Sequence, residues 1–348
     1  MDFKGQDVNI LIVKLSAIGD VIHTLPSLGA LRGLYPGAHI TWVVEEAAAD
    51  LIKNHPYLDE VLISRRKKWS KDFRDGQCRQ AFAGARSFVR DLRKRHYDLV
   101  VDFHGLFKSA MIVFLSGGKR KLGYDSWQEL SGCFLNEKIP EDMNKHAVDR
   151  YLDFPRHLGA RIDSVQFVLP SNPKAEERTK ILMRQYALED KKFIAVNPIA
   201  LWETKLWSNE KFAQLADLIS NELHMKVVFT GSNKEELEQI TPFVTSDGIN
   251  LGGETSLPEL AGLYKRARLV ISTDSGPMHL AAAVGTPVIA IFGPTDPDRT
   301  GPYGAGHMVI MAGLDCSPCL LKKCSTKKCM EEITPQQVFT AVKKMIKE

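Results

Sequence analysis

The stretch that most constrains the fold of this chain is residues 269–304, which read as a strand, a tight turn, a helix and a second strand. Residues 269–271 are a short apolar run, typical of a strand that is buried on both faces. Residues 272–277 are rich in turn and N-cap residues, and Pro277 suits the first turn of a helix. An Ala-rich helix over 278–284 and a buried strand over 288–292 follow. This order predicts part of a parallel α/β sheet.

The turn itself predicts an anion site. The backbone N–H groups of Ser275 and Gly276 would lie at a helix N-terminus, beyond the carboxyl end of a strand, where open α/β sheets bind anions. Gly276 lets the backbone approach a phosphate with no side chain in the way. We therefore expect a phosphate or diphosphate to bind in the C-terminal half. His279, about one helical turn further on, either faces the same ligand or packs within the Ala-rich helix.

Alternating strands and helices occur twice along the 348 residues, on either side of a Pro/Ser/Asn cluster at residues 170–173. That length is sufficient for two α/β domains of ordinary size. The pattern predicts an α/β protein with two parallel-sheet domains facing each other across a cleft, over residues 1–170 and 171–330. An amphipathic helix at the end of residues 331–348 follows a capping-box-like start.

The net charge of +4 and pI near 8.6 are only mildly basic. This balance fits an anionic small ligand or an anionic surface, and we expect no nucleic-acid partner. The first residues lack the pattern of a signal peptide, and no apolar stretch reaches transmembrane length. A cytoplasmic protein is therefore expected, one that can still touch a membrane surface.

Two side chains are candidates for the chemistry itself. Asp20 follows a glycine where the first strand passes into a helix, so it is either a general base facing the cleft or a helix N-cap. Lys205 lies between two tryptophans in a loop, where it either presents a point charge to a diphosphate or covers packed indoles. Thr204 beside it can add a hydroxyl donor. The absence of the GxGxxG fingerprint near Asp20 weakens an NAD interpretation.

Further polar residues follow other predicted strands. One member of the pair Glu235-Glu236 could accept hydrogen bonds from a ribose, or both could form a solvated helix start. His104 and Lys108 flank a loop after a strand near residue 103. A basic run could hold carboxylates or phosphates, although a solvated face is the usual explanation. This run comprises Arg65, Arg66, Lys67 and Lys68.

Four of the six cysteines lie close together near the C-terminus. In a cytoplasmic chain they are more typical of free thiols or metal ligands than of disulfides. Only the first pair has CxxC spacing, so a tetrahedral structural zinc site is one interpretation and four free thiols the other. The four are Cys316, Cys319, Cys324 and Cys329.

Three motifs together resemble glycosyltransferase family 9, the ADP-heptose:lipopolysaccharide heptosyltransferases. They are KLSAIGDVIHTLP (14–26), WETKLW (202–207) and STDSGPMHLAAAVGTPVIAIFGPTDP (272–297). The resemblance covers nearly the whole chain, and the branch called heptosyltransferase I is the most similar. The segments that favour this branch are the basic run ending in Trp69, DFHGLFKSA (102–110), Ser126-Trp127-Gln128 and residues 146–150.

The resemblance implies the GT-B fold, in which two Rossmann-like domains bind the acceptor (N-terminal) and the nucleotide sugar (C-terminal), and residues 331–348 pack back towards the N-terminal domain. It implies that catalysis requires no metal or other cofactor. Asp20 matches the family's general base and Lys205 its diphosphate-binding lysine. Thr204 and Glu235 would contact the donor, whereas the basic run, His104 and Lys108 would serve the acceptor. The donor-phosphate turn is matched by Asp274, Ser275, Gly276 and His279.

The activity implied is inverting transfer of L-glycero-D-manno-heptose from ADP-heptose to the Kdo residue of Kdo-lipid A, at the cytoplasmic face of the inner membrane. A heptosyltransferase II or another core heptosyltransferase is the nearest alternative. An alternative of another class is a GT-B-type sugar-nucleotide epimerase, which needs no acceptor. Ala200 and Leu201 stand where the similar branch often carries threonines, and the cysteine-rich tail is not shared by its best-known members.

Overall fold

The computed structural model describes residues 8–126, 128–240, 243–246 and 248–347, so Trp127 of the motif above lies outside the described residues. The chain divides into two compact units, Met1–Ser171 and Asn172–Glu348. The division falls in the Pro/Ser/Asn cluster, one residue after the boundary expected from the sequence.

The first unit is built on a parallel sheet of six strands in the order β3-β2-β1-β4-β5-β6. β1 and β4 are fully or almost fully buried, as their continuous apolar sequences predict. The order reverses between these two strands, so the connections that follow them leave towards opposite faces of the sheet. The strands are β1 (Asn9–Val13), β2 (His39–Glu45), β3 (Glu60–Ser64), β4 (Leu99–Asp102), β5 (Arg120–Tyr124) and β6 (Glu137–Ile139).

In the described residues of this unit, five α-helices and one 3₁₀ segment, Gln128–Phe134, connect the strands, and a sixth α-helix follows β6. The first helix begins at Ile18, so Asp20 lies within its first turn. The basic run, interpreted above only as a charged segment, supplies the N-cap residue, Arg65, and the first three residues of the third helix. The helices are α1 (Ile18–Leu34), α2 (Glu46–Ala49), α3 (Arg66–Arg74), α4 (Cys78–Leu92), α5 (Phe107–Ser116) and α6 (Ala147–His157).

The second unit repeats this topology, with six parallel strands in the order β12-β11-β10-β7-β8-β9. The reversal of strand order lies here between β7 and β10. Residues 269–304 supply β10, the turn, a helix and β11. The strands are β7 (Phe193–Asn197), β8 (Lys226–Phe229), β9 (Ile249–Asn250), β10 (Leu269–Thr273), β11 (Val288–Ile291) and β12 (Met308–Ile310).

Eight α-helices and a 3₁₀ turn at Glu203–Lys205 complete the described part of this unit. Asn172 caps the first of them by accepting a hydrogen bond from the Ala175 N–H, and Pro173 occupies its first position. The helices are α7 (Pro173–Gln185), α8 (Asn209–Leu223), α9 (Lys234–Glu238), α10 (Leu257–Arg266), α11 (Gly276–Ala283), α12 (Pro297–Thr300), α13 (Lys328–Glu331) and α14 (Pro335–Lys347).

The final helix, α14, packs on α8 within the second unit. Val338 and Phe339 are buried in the core that the unit builds under β7, β10 and β11. The Trp207 indole N–H donates to the carbonyl oxygen of Ile333, just before the helix, at 3.0 Å. The apolar face of this helix therefore belongs to the core of the second unit. Packing of residues 331–348 towards the N-terminal domain stays a prediction.

None of the helices in the described part of the chain has the length and apolar character needed to cross a membrane.

Candidate active site

In the second unit, the loops that follow β7 and β10 lie side by side at the carboxyl edge of the sheet. Asn197 and Ser272 are paired in register at the ends of these strands. The Thr273 hydroxyl donates to the carbonyl oxygen of Ile199 at 3.2 Å, which ties the two loops together. Because the strand order reverses here, the edge is open between the loops, as at the ligand-binding crevice of nucleotide-binding sheets.

Lys205 and Asp274, one from each loop, form an ion pair at this edge. The Lys205 Nζ lies 2.6 Å from the Asp274 Oδ2, and the two side chains are 16% and 6% exposed. The Thr295 hydroxyl donates to the same carboxylate oxygen at 2.7 Å. The Lys205 ammonium also lies 4.5 Å from the centre of the Trp202 ring. Carboxylate and indole together hold this lysine beside the turn at Ser275, where the sequence predicted a diphosphate.

The turn at Ser275 and Gly276, where an anion was expected, has the local structure that the sequence predicted. Ser275 is the extended N-cap residue of α11, and Gly276 is the first helical residue, followed by Pro277. The first N–H groups of a helix have no partner within it, so they can donate to an anion at this end. His279 is buried one turn further along α11, so its side chain is largely covered by protein.

The other two predicted donor contacts have different environments. Thr204 is buried, and its hydroxyl donates to the carbonyl oxygen of Leu321 at 2.8 Å, so its one O–H donor is engaged within the protein. Glu235 is exposed at the start of α9, whereas Glu236 accepts a hydrogen bond from the Ser232 hydroxyl. Of the acidic pair, Glu235 is therefore the carboxylate with both oxygens accessible to a ligand.

The loop that carries Lys205 is also held by the cysteine-rich tail. Besides the bond from Thr204, the Lys327 Nζ lies 3.6 Å from a carboxylate oxygen of Glu203. The Lys322 ammonium lies 5.0 Å from the Trp202 ring centre. The tail thus stabilises the loop that carries Lys205. The spacing of the motifs in the sequence did not indicate this contact between the tail and the loop.

The tail cysteines are free thiols in the structure. In the described residues there is no group of three or more His, Cys, Asp or Glu side chains arranged to hold a metal ion. The Lys327 and Thr326 N–H groups donate to the Cys324 sulfur and lower the pKa of that thiol. A zinc site at Cys316, Cys319, Cys324 and Cys329 stays a prediction that this geometry does not support.

In the first unit, three buried or half-buried side chains meet at the equivalent reversal of strand order. The Lys14 ammonium donates to the Tyr151 hydroxyl oxygen at 2.6 Å and to the Phe103 carbonyl oxygen at 2.9 Å. The Tyr151 hydroxyl in turn donates to the Asp20 Oδ1 at 3.0 Å. The Lys14 Nζ and the Asp20 Oδ1 are 3.8 Å apart. Asp20 is therefore oriented by a lysine that directly follows β1 and by a tyrosine on α6.

This arrangement sets the charge of the Asp20 carboxyl. Burial alone would raise its pKa, but the Lys14 ammonium, the Ala17 N–H and the Tyr151 O–H outweigh burial and hold the pKa below its ordinary value. Burial lowers the pKa of Lys14, and Asp20 opposes that effect. Burial and the Asp20 charge raise the pKa of Tyr151, so its hydroxyl keeps the proton that it donates. The Asp20 side chain is 41% exposed and so remains accessible as an ionised carboxylate.

Asp20 also belongs to the first turn of α1, because its Oδ2 accepts a hydrogen bond from the Ala17 N–H at 3.0 Å. The two interpretations of the sequence, general base and helix-capping residue, are therefore compatible in the structure. One carboxylate oxygen serves the helix, and the other accepts from Tyr151.

The loop after β4 brings His104 to the same edge. Asp102 holds the turn by accepting hydrogen bonds from the His104 and Gly105 N–H groups and from the Ser109 hydroxyl. Burial, then the Lys14 and Lys108 charges, lower the pKa of His104 to about 3. The His104 imidazole is therefore neutral at ordinary pH. Both of its ring nitrogens are buried, and neither has a hydrogen-bond partner within the described residues.

The basic run surrounds a buried carboxylate instead of forming a plain solvated face. Glu45, 5% exposed, lies 3.2 Å from Arg66, 3.5 Å from Lys67 and 3.8 Å from Lys108, measured between charged atoms. The Lys108 Nζ also donates to the Ser16 hydroxyl at 3.1 Å, in the loop that leads to Asp20. Glu45 thus brings cations from two separate segments, α3 and the start of α5, to the edge where Asp20 lies.

The rest of the basic run borders an open cleft of about 310 Å³ beside this cluster. Arg65 lies 3.3 Å from Glu46, and Lys68 is exposed. Five positive charges therefore lie around two negative ones: three cations contact Glu45, Arg65 pairs with Glu46, and Lys68 is beside them. The excess of positive charge suits an acidic ligand.

A family model, Glycosyltransferase family 9 (heptosyltransferase), matches residues 85–330, which is most of the chain. The chain belongs to glycosyltransferase family 9. It is 28% identical to lipopolysaccharide heptosyltransferase 1 of Pseudomonas aeruginosa over 97% of this chain and 98% of the relative. It is 30% identical to lipopolysaccharide heptosyltransferase 1 of Salmonella typhimurium over 89% of this chain and 95% of the relative.

A solved structure of Escherichia coli heptosyltransferase WaaC with ADP is similar over 97% of this chain and all of that one, with a TM-score of 0.79 and 26% identity. The same enzyme has been solved with ADP-2-deoxy-2-fluoro heptose. These findings confirm the predicted α/β class with two Rossmann-like sheets of the GT-B type, and they make the protein a glycosyltransferase.

The hydrogen bond from Tyr151 gives a testable consequence. Tyr151→Phe removes the O–H that stabilises the ionised Asp20, so the pKa of Asp20 should rise relative to the unchanged protein. Carboxyl-detected NMR of the ¹³C-labelled protein measures this pKa directly. Tyr186→Phe is the matched control, because the Tyr186 hydroxyl donates to Glu254 in the second unit and does not touch Asp20.

The same change should cost more stability at neutral pH than at strongly acid pH. A carboxyl whose folded pKa is depressed stabilises the fold above its unfolded pKa, about 3.9, and loses that contribution as pH falls through the folded value. Tyr151→Phe should therefore reduce the contribution of Asp20 at neutral pH more than at strongly acid pH. An Asp20 titration that is identical in Tyr151→Phe and in the control would contradict the assigned contact.

Proposed function

We propose that this glycosyltransferase moves L-glycero-D-manno-heptose from ADP-heptose to the Kdo residue of Kdo-lipid A, in the assembly of the lipopolysaccharide inner core. The observation that carries the proposal is the Lys205–Asp274 pair beside the N-terminus of α11, at the point where strand order reverses. A point charge and free N–H groups at such an edge suit a nucleoside diphosphate. Relatives named as lipopolysaccharide heptosyltransferases support the sugar and the pathway.

The donor would bind to the second unit through its diphosphate. As the bond between the anomeric carbon and the diphosphate oxygen breaks, negative charge develops on the departing ADP. Lys205 and the N–H groups at Ser275 and Gly276 would stabilise that charge electrostatically. Asp274 would keep the ammonium in place before the donor arrives, and Glu235 would accept hydrogen bonds from the ribose.

The acceptor would be activated in the first unit. Its hydroxyl oxygen attacks the anomeric carbon on the face opposite the ADP, so the configuration inverts, and the hydroxyl proton passes to the Asp20 carboxylate. The depressed pKa keeps Asp20 ionised and makes it a weak base before the reaction begins. The proton should therefore transfer late, once the forming bond to carbon has made the hydroxyl acidic.

The acidic groups of the acceptor would be held by the positive cleft described above. Kdo carboxylates and lipid A phosphates are ligands that Arg and Lys bind well. Arg65, Arg66, Lys67 and Lys68 would supply the charge, and the neutral His104 with Lys108 would contact the reacting sugar. The lipid nature of the acceptor implies peripheral contact of this cytoplasmic enzyme with the inner membrane.

The alternatives differ in acceptor or in reaction class. Membership of the family does not by itself choose between heptosyltransferase I, heptosyltransferase II and another core heptosyltransferase. A GT-B-type epimerase is not favoured, because the relatives that match almost the whole chain are named as heptosyltransferases.

Product analysis with a panel of acceptors tests the proposal. With ADP-heptose, the protein should add one heptose to Kdo-lipid A and none to an acceptor that already carries the first heptose. Extension of the heptosylated acceptor alone would indicate a later core transferase instead. Conversion of the nucleotide sugar without any acceptor would indicate an epimerase.

A second prediction concerns Lys205. Lys205→Ala should lower kcat and weaken ADP binding by about 1.5–3 kcal/mol, roughly 10- to 150-fold, the usual value of a hydrogen bond to a charged group. Lys205→Arg should restore only part of this, because a guanidinium is a planar fork and not a point charge. Titration calorimetry with ADP and steady-state kinetics measure the two effects.

Lys322→Ala provides the matched control for Lys205. The Lys322 ammonium lies over the same Trp202 ring and forms no ion pair within the described residues. Lys322→Ala should therefore leave the affinity for ADP nearly unchanged. Equal ADP affinity in Lys205→Ala and Lys322→Ala would reject the role of Lys205.

A further inference from the structure

The helical hairpin α3–α4, residues 66–92, is the least buried part of the described first unit. α3 has no buried residue, and α4 buries only Ala81 and Leu92. The hairpin is held together near its middle by Trp69, which packs so closely on Gly84 that a Cβ there would come within 2.5 Å of the indole Nε1. The Trp69 ring also lies 5.6 Å from the Phe88 ring, centre to centre. The internal contacts therefore use these residues and leave other aromatic side chains uncovered.

Those uncovered aromatic side chains are Phe73 and Phe82, close to the turn of the hairpin. They are 55% and 67% exposed, and their rings contact each other edge to face with centres 6.2 Å apart. Large apolar side chains that are exposed as a contacting pair are unusual on a protein surface and often mark a binding site. The pair forms one apolar wedge.

The same segment concentrates the positive charge of the protein. Residues 65–95 contain twelve Lys or Arg and three Asp, a net charge of +9, whereas the whole chain has +4 and the remaining residues therefore −5. Some of these cations pair with Glu45, Glu46 or Glu60. Others are exposed and form no ion pair with a described residue, so their charge is directed to solvent. They are Lys68, Lys71, Arg74, Arg79 and Arg86.

We propose that the α3–α4 hairpin docks the enzyme on an anionic phospholipid surface. The Phe73–Phe82 wedge enters the headgroup region, and the unpaired cations around it contact lipid phosphates. Exposed aromatic residues combined with Lys and Arg are the composition of helices that lie in a membrane interface. The docking gives the proposed function a route to its lipid-linked acceptor, but vesicle binding itself does not depend on that function.

A basic surface with aromatic residues could also bind single-stranded nucleic acid, which stacks its bases on flat ring faces. The edge-to-face contact makes Phe73 and Phe82 one wedge and not two separate stacking platforms. This geometry favours the lipid surface.

The test uses the full chain and vesicle co-sedimentation without substrates. The unchanged protein should bind phosphatidylglycerol–phosphatidylethanolamine vesicles more tightly than phosphatidylcholine vesicles, and salt should weaken the binding. The pair Phe73→Ala and Phe82→Ala, and separately the set Lys71→Gln, Arg74→Gln and Arg79→Gln, should each weaken it by at least about tenfold.

Two matched controls separate this surface from general effects of charge and apolar exposure. Phe243→Ala removes another half-exposed phenylalanine, and the pair Lys344→Gln and Lys347→Gln removes exposed cations of α14, all in the second unit. Both should bind vesicles like the unchanged protein. Thermal unfolding should show that every variant is folded.

Activity on a Kdo-containing acceptor without acyl chains should be unchanged in the hairpin variants, which separates docking from catalysis. Vesicle binding that is equal in the hairpin variants and the controls would overturn the proposal. Tighter binding of a single-stranded oligonucleotide than of anionic vesicles would also overturn it. Vesicle binding without any transferase activity would contradict the proposed function and leave the docking surface standing.

Discussion

The reversal of strand order in each parallel sheet is the constraint on which the rest of this structure depends. Two neighbouring strands send their connections to opposite faces, so the carboxyl ends of both strands stay uncovered. The first unit has this edge at β1 and β4, and the second has it at β7 and β10. Asp20 and His104 lie at the first edge and Lys205 with Asp274 at the second, so the topology accounts for the position of each.

Each edge holds a lysine–carboxylate pair, and the two pairs present opposite members to solvent. In the first, Lys14 is buried and Asp20 is 41% exposed, at an Nζ–Oδ1 distance of 3.8 Å. In the second, Asp274 is 6% exposed and Lys205 16%. A buried partner orients and stabilises the accessible one without competing for a ligand. The first edge is thereby suited to accept a proton and the second to stabilise a leaving anion.

Local signals in the sequence were sufficient for the elements and for the edge residues, because strand, turn and helix N-terminus are adjacent along the chain. The supporting contacts could not be predicted in this way. Tyr151 reaches Asp20 across 131 residues, and Thr204 reaches Leu321 across 117. The sequence offered one signal for Lys14, which is that this lysine interrupts an apolar run. The amphipathic pattern of the final helix showed that one of its faces is buried, and it did not show that this face packs on α8 in the core of the second unit.

The central claim is that the Asp20 carboxylate takes the acceptor proton. The most direct measurement is kcat of Asp20→Asn at saturating Kdo-lipid A, with ADP-heptose binding followed separately by calorimetry. Asparagine can still accept from the Ala17 N–H, so the helix should remain capped while the basic oxygen is lost. We predict a fall in kcat of about 10²–10⁴-fold, with donor affinity preserved because the donor residues lie in the second unit. An unchanged kcat, with chemistry shown to be rate-limiting, would contradict the claim and leave Asp20 as a helix cap.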